Sequence, residues 1–471
     1  SELICLKKSQ FDNFKQAYPE AGMALVQMIA EQLQETNKRV DTSSHQASKS
    51  IVIVPLSLSL DLTTFTQQLS QSLNKIGSQK ILSRDQFIAE FGLLNAAQVT
   101  FGDSAFNPLA NAWLSEQERQ HAFMVYIADP IDTGWTQRCV RQADHLLFLA
   151  DATESPKLTE VEIAINQFEL YVEKGLILLH PEQTKSPSGT SDWLSERPVT
   201  AHYHVLMNNA AHYGRLARRL TRQAICLVYS GGGARGYAHL GAWQAIQEHD
   251  IPVDYFGGTG MGALIAAANS VGWHLEEVRE IAKQHANPKA LFDYTLPLTS
   301  IMASKKLTRF CKVVFGDRQI EDFWLPFFCV ASNATTAEPE IIQSGPVWKA
   351  LRKSIAIPGV FTPVMENGEV IVDGGVINNF PVDVMQTLAQ SDIILGVNVS
   401  PHQEKKRAYD FETEISGWRL LLRRLNPLSK RLKAPSLIGT MLRALELNSK
   451  RHGKQMQFEK GLLIEANVKE V

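Results

Sequence analysis

The stretch Ile225-Cys226-Leu227-Val228-Tyr229-Ser230 runs directly into Gly231-Gly232-Gly233-Ala234-Arg235-Gly236. Apolar residues then recur at helical spacing over Ala238–Glu248, which places Leu240, Trp243, Ala245 and Ile246 on an inner face. A strand, a glycine-rich turn and a helix together make an anion-binding arrangement. Successive backbone N–H groups point into the turn, and the helix N-terminus adds partial positive charge. Two chemistries can use it. The spacing Gly231-x-Gly233-x-x-Gly236 satisfies the dinucleotide fingerprint. The same N–H groups could instead hold the oxyanion of an acyl-transfer intermediate.

The next segment separates them. A dinucleotide site wants a second strand that ends in an acid about 20 residues on. Asp254 lies near that distance, but it precedes Tyr255-Phe256 and so begins a strand. That strand enters a second turn, Gly257-Gly258-Thr259-Gly260-Met261-Gly262, and Ala263–Asn269 resumes as a helix of small residues. Gly258 and Gly262 flank position 260 with the spacing of a nucleophile elbow, in which a sharp strand-to-helix turn thrusts the central side chain forward. Here the centre is Gly260, which has no side chain. Further on, Glu369–Val372 reads as a short strand ending at Asp373-Gly374-Gly375, followed by Asn378-Asn379-Phe380-Pro381. A carboxylate beside two glycines can approach another turn closely and accept a proton. Alone it would be read as a turn residue, but its order after the two glycine turns favours a catalytic part.

SGGGARG, GGTxMGA and VDGG in this order resemble the patatin-like phospholipase family. The wider block AHLGAWQAIQEHDIPVDYFGGTxMGA narrows the resemblance to the neuropathy-target-esterase branch. It implies an α/β protein: a Rossmann-like parallel-sheet domain followed by a patatin-type α/β hydrolase domain. It also implies a serine–aspartate dyad without histidine, hydrolysing carboxylic esters of phospholipids or lysophospholipids. Residue by residue, Gly260 takes the nucleophile position where serine is expected, and Asp373 the general base. The N–H groups of Gly232, Gly233 and Ala234 take the oxyanion hole, and Arg235 braces that loop. Ser354–Phe361 (SIAIPGVF) resembles the family's substrate-side turn. His239 is left with a helix-packing or surface role.

Without a hydroxyl at 260 there is no nucleophile, and Asp373 has no proton to take. Ser230 precedes the glycine loop and Ser270 lies about three turns along the helix, so neither substitutes. The chain is therefore expected to be an inactive form, either through replacement of a serine or as a natural pseudoenzyme. The alternatives are a non-catalytic lipid-binding or scaffold protein and, more weakly, a dinucleotide-dependent enzyme using Gly231–Gly236.

Upstream, residues 51–208 alternate apolar runs (Ile51–Leu56, Ala122–Ala128, His145–Ala150, Leu176–His180) with helical patterns near Leu62–Ile76, Trp135–Ala143 and Glu160–Lys174. That alternation predicts βαβ units and a parallel sheet. Pro55-Leu56 sits where a phosphate-binding glycine turn would follow the first strand, so this domain is read as structural or protein-interacting. Residues 209–223 form a connecting helix with Arg215, Arg218, Arg219 and Arg222 on a solvated face, and 224–400 form the catalytic domain. Residues 1–40 resemble the closing segment of a cyclic-nucleotide-binding domain, joined by a polar linker at 41–50. Any cyclic-nucleotide control would belong to a longer parent chain.

The extension 401–471 includes Gly417–Pro435 (GWRLLLRRLNPLSKRLKAP), where six Lys or Arg residues interleave with leucines and Trp418. A basic amphipathic segment of this kind predicts peripheral contact with an anionic membrane; the alternative is a helix packed on the catalytic domain. The 471 residues carry a net charge of −2, which gives no field directed at nucleic acid. The odd count of 5 cysteines, widely spaced, predicts reduced buried thiols. No run approaches the roughly 18 apolar residues of a membrane span. These features predict a soluble cytoplasmic protein, in contact with the inner face of a membrane at most, without cofactor or metal.

Overall fold

The computed structural model describes residues 50–92, 107–168, 172–285, 291–391, 393–399 and 461–465, with a few positions between 414 and 440. The segments 1–40 and 41–50, apart from Ser50, lie outside the described residues, as do Arg419 and 423–435.

Six parallel strands make the first sheet: β1 (Ser50–Pro55), β2 (Gln79–Ser83), β3 (Phe123–Ile127), β4 (His145–Asp151), β5 (Glu173–His180) and β6 (Ala201–Leu206). Their order is β2-β3-β1-β4-β5-β6. The central strands are apolar on both faces because helices cover both. Ile51 and Ile53 pack with Phe65 and Tyr213 on one side, while Val52 and Val54 pack with Trp135 and Phe148 on the other. The predicted helix Glu160–Lys174 stops at Asn166, and Glu173-Lys174 instead open β5. Its start is well fixed: Thr159 and Glu162 form a capping box.

The second sheet holds β7 (Cys226–Tyr229), β8 (Tyr255–Thr259), β9 (Phe327–Asn333), β10 (Glu338–Ile342), β11 (Val364–Glu366), β12 (Glu369–Asp373), β13 (Ile394–Asn398) and β14 (Leu462–Glu465). The order is β11-β12-β9-β8-β7-β13-β14, and β10 also pairs with β9. Strands β7, β8, β9, β13 and β14 run parallel; β10, β11 and β12 are antiparallel additions. The described residues are thus α/β, with a parallel sheet first and a mixed sheet second.

The four arginines of the helix Ala210–Leu220 and its end correct one expectation. They do not form a solvated face. Arg218 grips the fully buried Asp254 through two bonds, Nε to Oδ2 at 2.8 Å and Nη2 to Oδ1 at 2.6 Å. Arg219 lies 4.1 Å over the Tyr203 ring and donates to the His202 carbonyl, and Arg215 donates to the His204 carbonyl. Arg222 stands 3.8 Å from Glu173. The apolar face of this helix, with Tyr213, Leu216 and Leu220, covers the first sheet. Its basic side then meets polar groups at the junction with the second sheet, so a charged stripe is used as a joint. Histidines complete that junction: His204 Nε2 and His202 Nε2 lie 2.8 and 3.1 Å from the Glu321 carbonyl. Burial pushes His180 and His202 down to about 4, so all of these imidazoles are neutral packing groups at pH 7.

Candidate active site

The site lies at the C-terminal ends of β7 and β8, where the parallel strands give way to helices and the backbone can face a ligand. After β7 the chain enters Gly231–Gly236, with a short 3-10 turn at Gly233–Tyr237 and then the helix Ala238–Glu248. Leu240 and Ile246 are buried as anticipated and Trp243 is half-buried, but Ala245 is exposed. Gly231, Gly232, Gly233, Ala234 and Arg235 all line one cavity. Gly236 is buried beneath them, against the Met261 side chain.

The loop is pinned from an unexpected direction. Gly231 N–H donates to the Asn379 carbonyl at 2.9 Å, and Asn379 Nδ2 donates back to the Gly231 carbonyl at 3.3 Å. Asn379 follows Asp373 on the other side of the site, so it couples the glycine loop to the aspartate's turn. The doubled Asn378-Asn379 was the signal for this, although nothing in its spacing says which backbone it holds.

Position 260 caps the helix Met261–Val271 with φ +59° and ψ −123°, a backbone conformation that side-chain-bearing residues adopt only under strain. Its neighbours explain the glycines around it. A Cβ at Gly262 would stand 2.5 Å from the Ser230 carbonyl oxygen, and one at Gly258 would stand 2.8 Å from Gly262 backbone. The turn can form only because these positions carry hydrogen. Position 260 differs from both. A Cβ there meets nothing closer than Asp373 Oδ2 at 3.5 Å, with Gly231 Cα at 3.8 Å and Asp373 Oδ1 at 3.9 Å. There is room for a side chain, and it would point at the aspartate.

Asp373 ends β12 and is 7% exposed. Its Oδ1 accepts from Gly375 N–H at 2.7 Å, which leaves Oδ2 toward position 260. Burial pushes the carboxyl up to about 7, against the pull of the Gly375 N–H. Gly374 lets the turn pass 2.2 Å, measured from a built Cβ, from the Val330 carbonyl oxygen. Ser354 is a second residue whose role the sequence did not reveal. Its hydroxyl accepts from Gly260 N–H at 3.0 Å and donates to the Val330 carbonyl at 2.7 Å, holding the elbow in place. The other serines are committed elsewhere: Ser230 Oγ accepts from Val399 N–H, and Ser270 Oγ donates to the Ala266 carbonyl.

No histidine lines the cavity among the described residues. His239 is fully buried, its Nε2 2.8 Å from the Ser230 carbonyl and its ring against Tyr229. Asp254, the acid that a dinucleotide would need, is enclosed by Arg218 and the Ile225 N–H. From the polar end at Gly231, Gly260 and Asp373 the cavity extends, at about 780 Å³, into an apolar interior. Leu264, Ile265, Phe310, Val314, Ile357 and Phe361 are among its walls. Ile355, Ile357, Val360 and Phe361 bring Ser354–Phe361 onto the cavity as a wall.

Residues 47–229 match the Neuropathy Target Esterase family P-loop like domain, and residues 227–385 match Patatin-like phospholipase. The chain belongs to the neuropathy target esterase family of patatin-like phospholipases. Among its relatives, rat patatin-like phospholipase domain-containing protein 7 is 31% identical over 92% of this chain. Neuropathy target esterase sws of Drosophila melanogaster and mouse patatin-like phospholipase domain-containing protein 6 are each 30% identical over 93%. Those alignments cover 35%, 33% and 35% of the respective relatives, so the chain spans about a third of their length. Among the described residues, no helix is long and apolar enough to cross a membrane.

Proposed function

We infer that this fold is built to hydrolyse a carboxylic ester of a phospholipid or lysophospholipid through a serine at 260 and Asp373, and that the chain with Gly260 lacks only the nucleophile. One observation carries this: among the glycines of its turn only position 260 would take a Cβ without a clash, and that Cβ would stand 3.5 Å from Asp373 Oδ2. A hydroxyl on that carbon comes within the roughly 2.6–3.2 Å needed for proton transfer. In the sequence of steps, the serine oxygen attacks the ester carbonyl while its proton passes to Asp373. The N–H groups at Gly232, Gly233 and Ala234 stabilise the oxyanion. The intermediate collapses to an acyl-serine, and the leaving alcohol takes the proton from Asp373. Water, giving a proton to Asp373, then attacks the acyl carbonyl; the serine oxygen leaves, takes that proton back from Asp373, and the fatty acid is released. The apolar cavity gives the acyl chain a place to lie during both steps.

The same cavity supports a second function for the chain as it stands: binding an acyl chain without turnover. Fatty acid or monoacyl phospholipid binding to the Gly260 chain tests it directly. Saturable binding with no product supports both statements, while saturable binding of NAD or FAD would support a dinucleotide enzyme instead. The first sheet offers no phosphate cradle after β1. Ser57 and Ser59 there donate to Glu154 at 2.8 and 2.7 Å, and that carboxylate would repel a phosphate. We read this domain as a structural partner of the catalytic sheet.

The pH dependence follows from burial. Asp373 works as a base only when ionised, so with its carboxyl at about 7 the kcat/KM of the Gly260→Ser form should rise about tenfold per pH unit below 7 and level off above it. A profile levelling near pH 4 would mean that burial does not raise the carboxyl of the base.

Peripheral membrane contact through 417–435 is supported by Trp418 and Leu422, which are 75% and 66% exposed rather than packed on the protein. Each Lys or Arg near an anionic surface contributes about 1 kcal/mol. Replacing Arg419, Arg423, Arg424 and Arg431 with glutamine should therefore remove most low-salt sedimentation with anionic vesicles, without changing hydrolysis of a soluble ester by the serine form. If the melting temperature falls instead and vesicle binding persists, the segment packs on the protein.

A further inference from the structure

At the mouth of the cavity lies a loop that the chemistry does not use. Tyr294 lines the cavity yet is 76% exposed, so it stands where cavity meets solvent. From there the chain makes a short excursion through Thr295-Leu296-Pro297-Leu298-Thr299 and returns at Ser300–Met302. The base of this excursion is tied. Tyr294 and Met302 form an antiparallel bridge, Thr295 N–H donates to the Ile301 carbonyl at 3.0 Å, and Ala303 N–H donates to the Asp293 carbonyl at 2.9 Å. Met302 bridges onward to Phe361 in the cavity wall. Asp293 also accepts from Ser304 and Lys305 N–H, at 2.9 and 2.8 Å, and so fixes the loop to the start of the helix Lys305–Phe315.

On this tied base Leu296 and Leu298 are 72% and 84% exposed. Single exposed leucines are ordinary, but a pair at the apex of a braced loop beside an apolar mouth marks an interaction site. The charge around it selects the partner. Residues 294–316 contain no Asp or Glu and four basic residues, Lys305, Lys306, Arg309 and Lys312, all exposed. The adjoining Asp293 carboxylate is engaged by the Ser304 and Lys305 N–H groups. Val313, 57% exposed, lies one turn beyond Arg309 on the same face of the helix. An apolar tip flanked by cations fits an acyl layer beneath anionic headgroups.

We propose that Tyr294–Leu298, with Lys305 and Arg309, is a docking lip for an anionic lipid bilayer. Its leucines enter the acyl layer, the cations meet phosphates, and the cavity mouth opens against the membrane. A lipid then reaches the polar end of the cavity without its chain crossing water. This rests on the cavity being an acyl-chain site, but the test is independent of turnover because it uses the Gly260 chain.

Binding to phosphatidylglycerol/phosphatidylcholine vesicles is measured by sedimentation. The L296S/L298S double variant should weaken it at least about tenfold at any salt concentration. The K305Q/R309Q variant should weaken it mainly at low salt. Because these side chains are exposed, melting temperatures should stay unchanged. An environment-sensitive dye on Leu298→Cys, in a Cys5→Ser background, should shift to the blue with vesicles, whereas the same dye on Leu58→Cys, 87% exposed on the other sheet's domain, should not. Three outcomes overturn the proposal. The double-serine variant could bind vesicles undiminished, or the dye at 298 could stay in water while the protein sediments. The double-serine variant could also change the protein's mass in solution without vesicles, in which case the apex covers a second copy of the chain.

Discussion

Gly260→Ser should bring hydrolysis of a monoacyl phospholipid or a short phenyl ester from background to measurable turnover, within the usual enzyme range of about 1–10³ s⁻¹. No comparable gain is expected from any other single change, because the remaining parts stand in place: the glycine loop, the elbow and a buried carboxylate facing the vacant position. The gain carries a structural cost. A serine must adopt φ near +59°, and strained conformations of that kind cost on the order of 1–3 kcal/mol. There is no clash to add, since the nearest atom to the new Cβ is 3.5 Å away. The serine form should thus melt lower than the glycine form while gaining activity. A folded serine form without hydrolysis would favour the lipid-binding function. Equal activity in the glycine form would show that 260 is not the nucleophile position.

In the serine background, Asp373→Asn should lower kcat/KM by about 10² to 10⁴, the usual range for loss of a general base. A loss under about threefold would make Asp373 a turn residue only. The same substitution should move stability the other way at high pH. The folded-state carboxyl, at about 7, lies above its unfolded value of 3.8, so the folded chain holds the proton between about pH 4 and 7. The stability linked to that proton is fully present below pH 4 and is lost as pH rises through 7. At pH 8 the buried carboxylate is charged, and the asparagine variant should be the more stable by on the order of 2–4 kcal/mol. Asparagine can still accept from Gly375 N–H through its carbonyl oxygen, which keeps the turn. Activity and stability changing in opposite directions would separate a catalytic role from a structural one.

The turns of the candidate site were legible because their glycines obey backbone sterics. Gly258, Gly262 and Gly374 each sit where a Cβ would meet backbone at 2.8, 2.5 and 2.2 Å, so the turn geometry writes itself into the sequence. The four central strands of the first sheet were legible for a similar reason, since burial on both faces demands continuous apolar runs. β2 (QKILS) and β6 (AHYHVL) were not found in the sequence. Both are edge strands of the sheet and only partly buried, so their sequences carry no such run. Ser354 and Asn379 escaped because one polar side chain says nothing of which distant N–H or C=O it will meet. The walls from Lys305–Phe315 escaped as well: an apolar stripe facing a cavity has the same spacing as one facing a core. The arginines of Ala210–Leu220 were misread because a basic helical face looks solvated until a buried acid such as Asp254 is placed opposite it.

Covalent capture tests the assignment of position 260 most directly. A fluorophosphonate transfers its phosphonyl group to an activated serine oxygen with loss of fluoride, and peptide mass mapping locates the adduct. The Gly260 chain should remain unmodified. Its Gly260→Ser form should gain one phosphonyl group on the peptide containing residue 260, at a rate that falls sharply with Asp373→Asn. An adduct on Ser230, Ser270 or Ser354, or a folded serine form that stays unlabelled, would contradict the account.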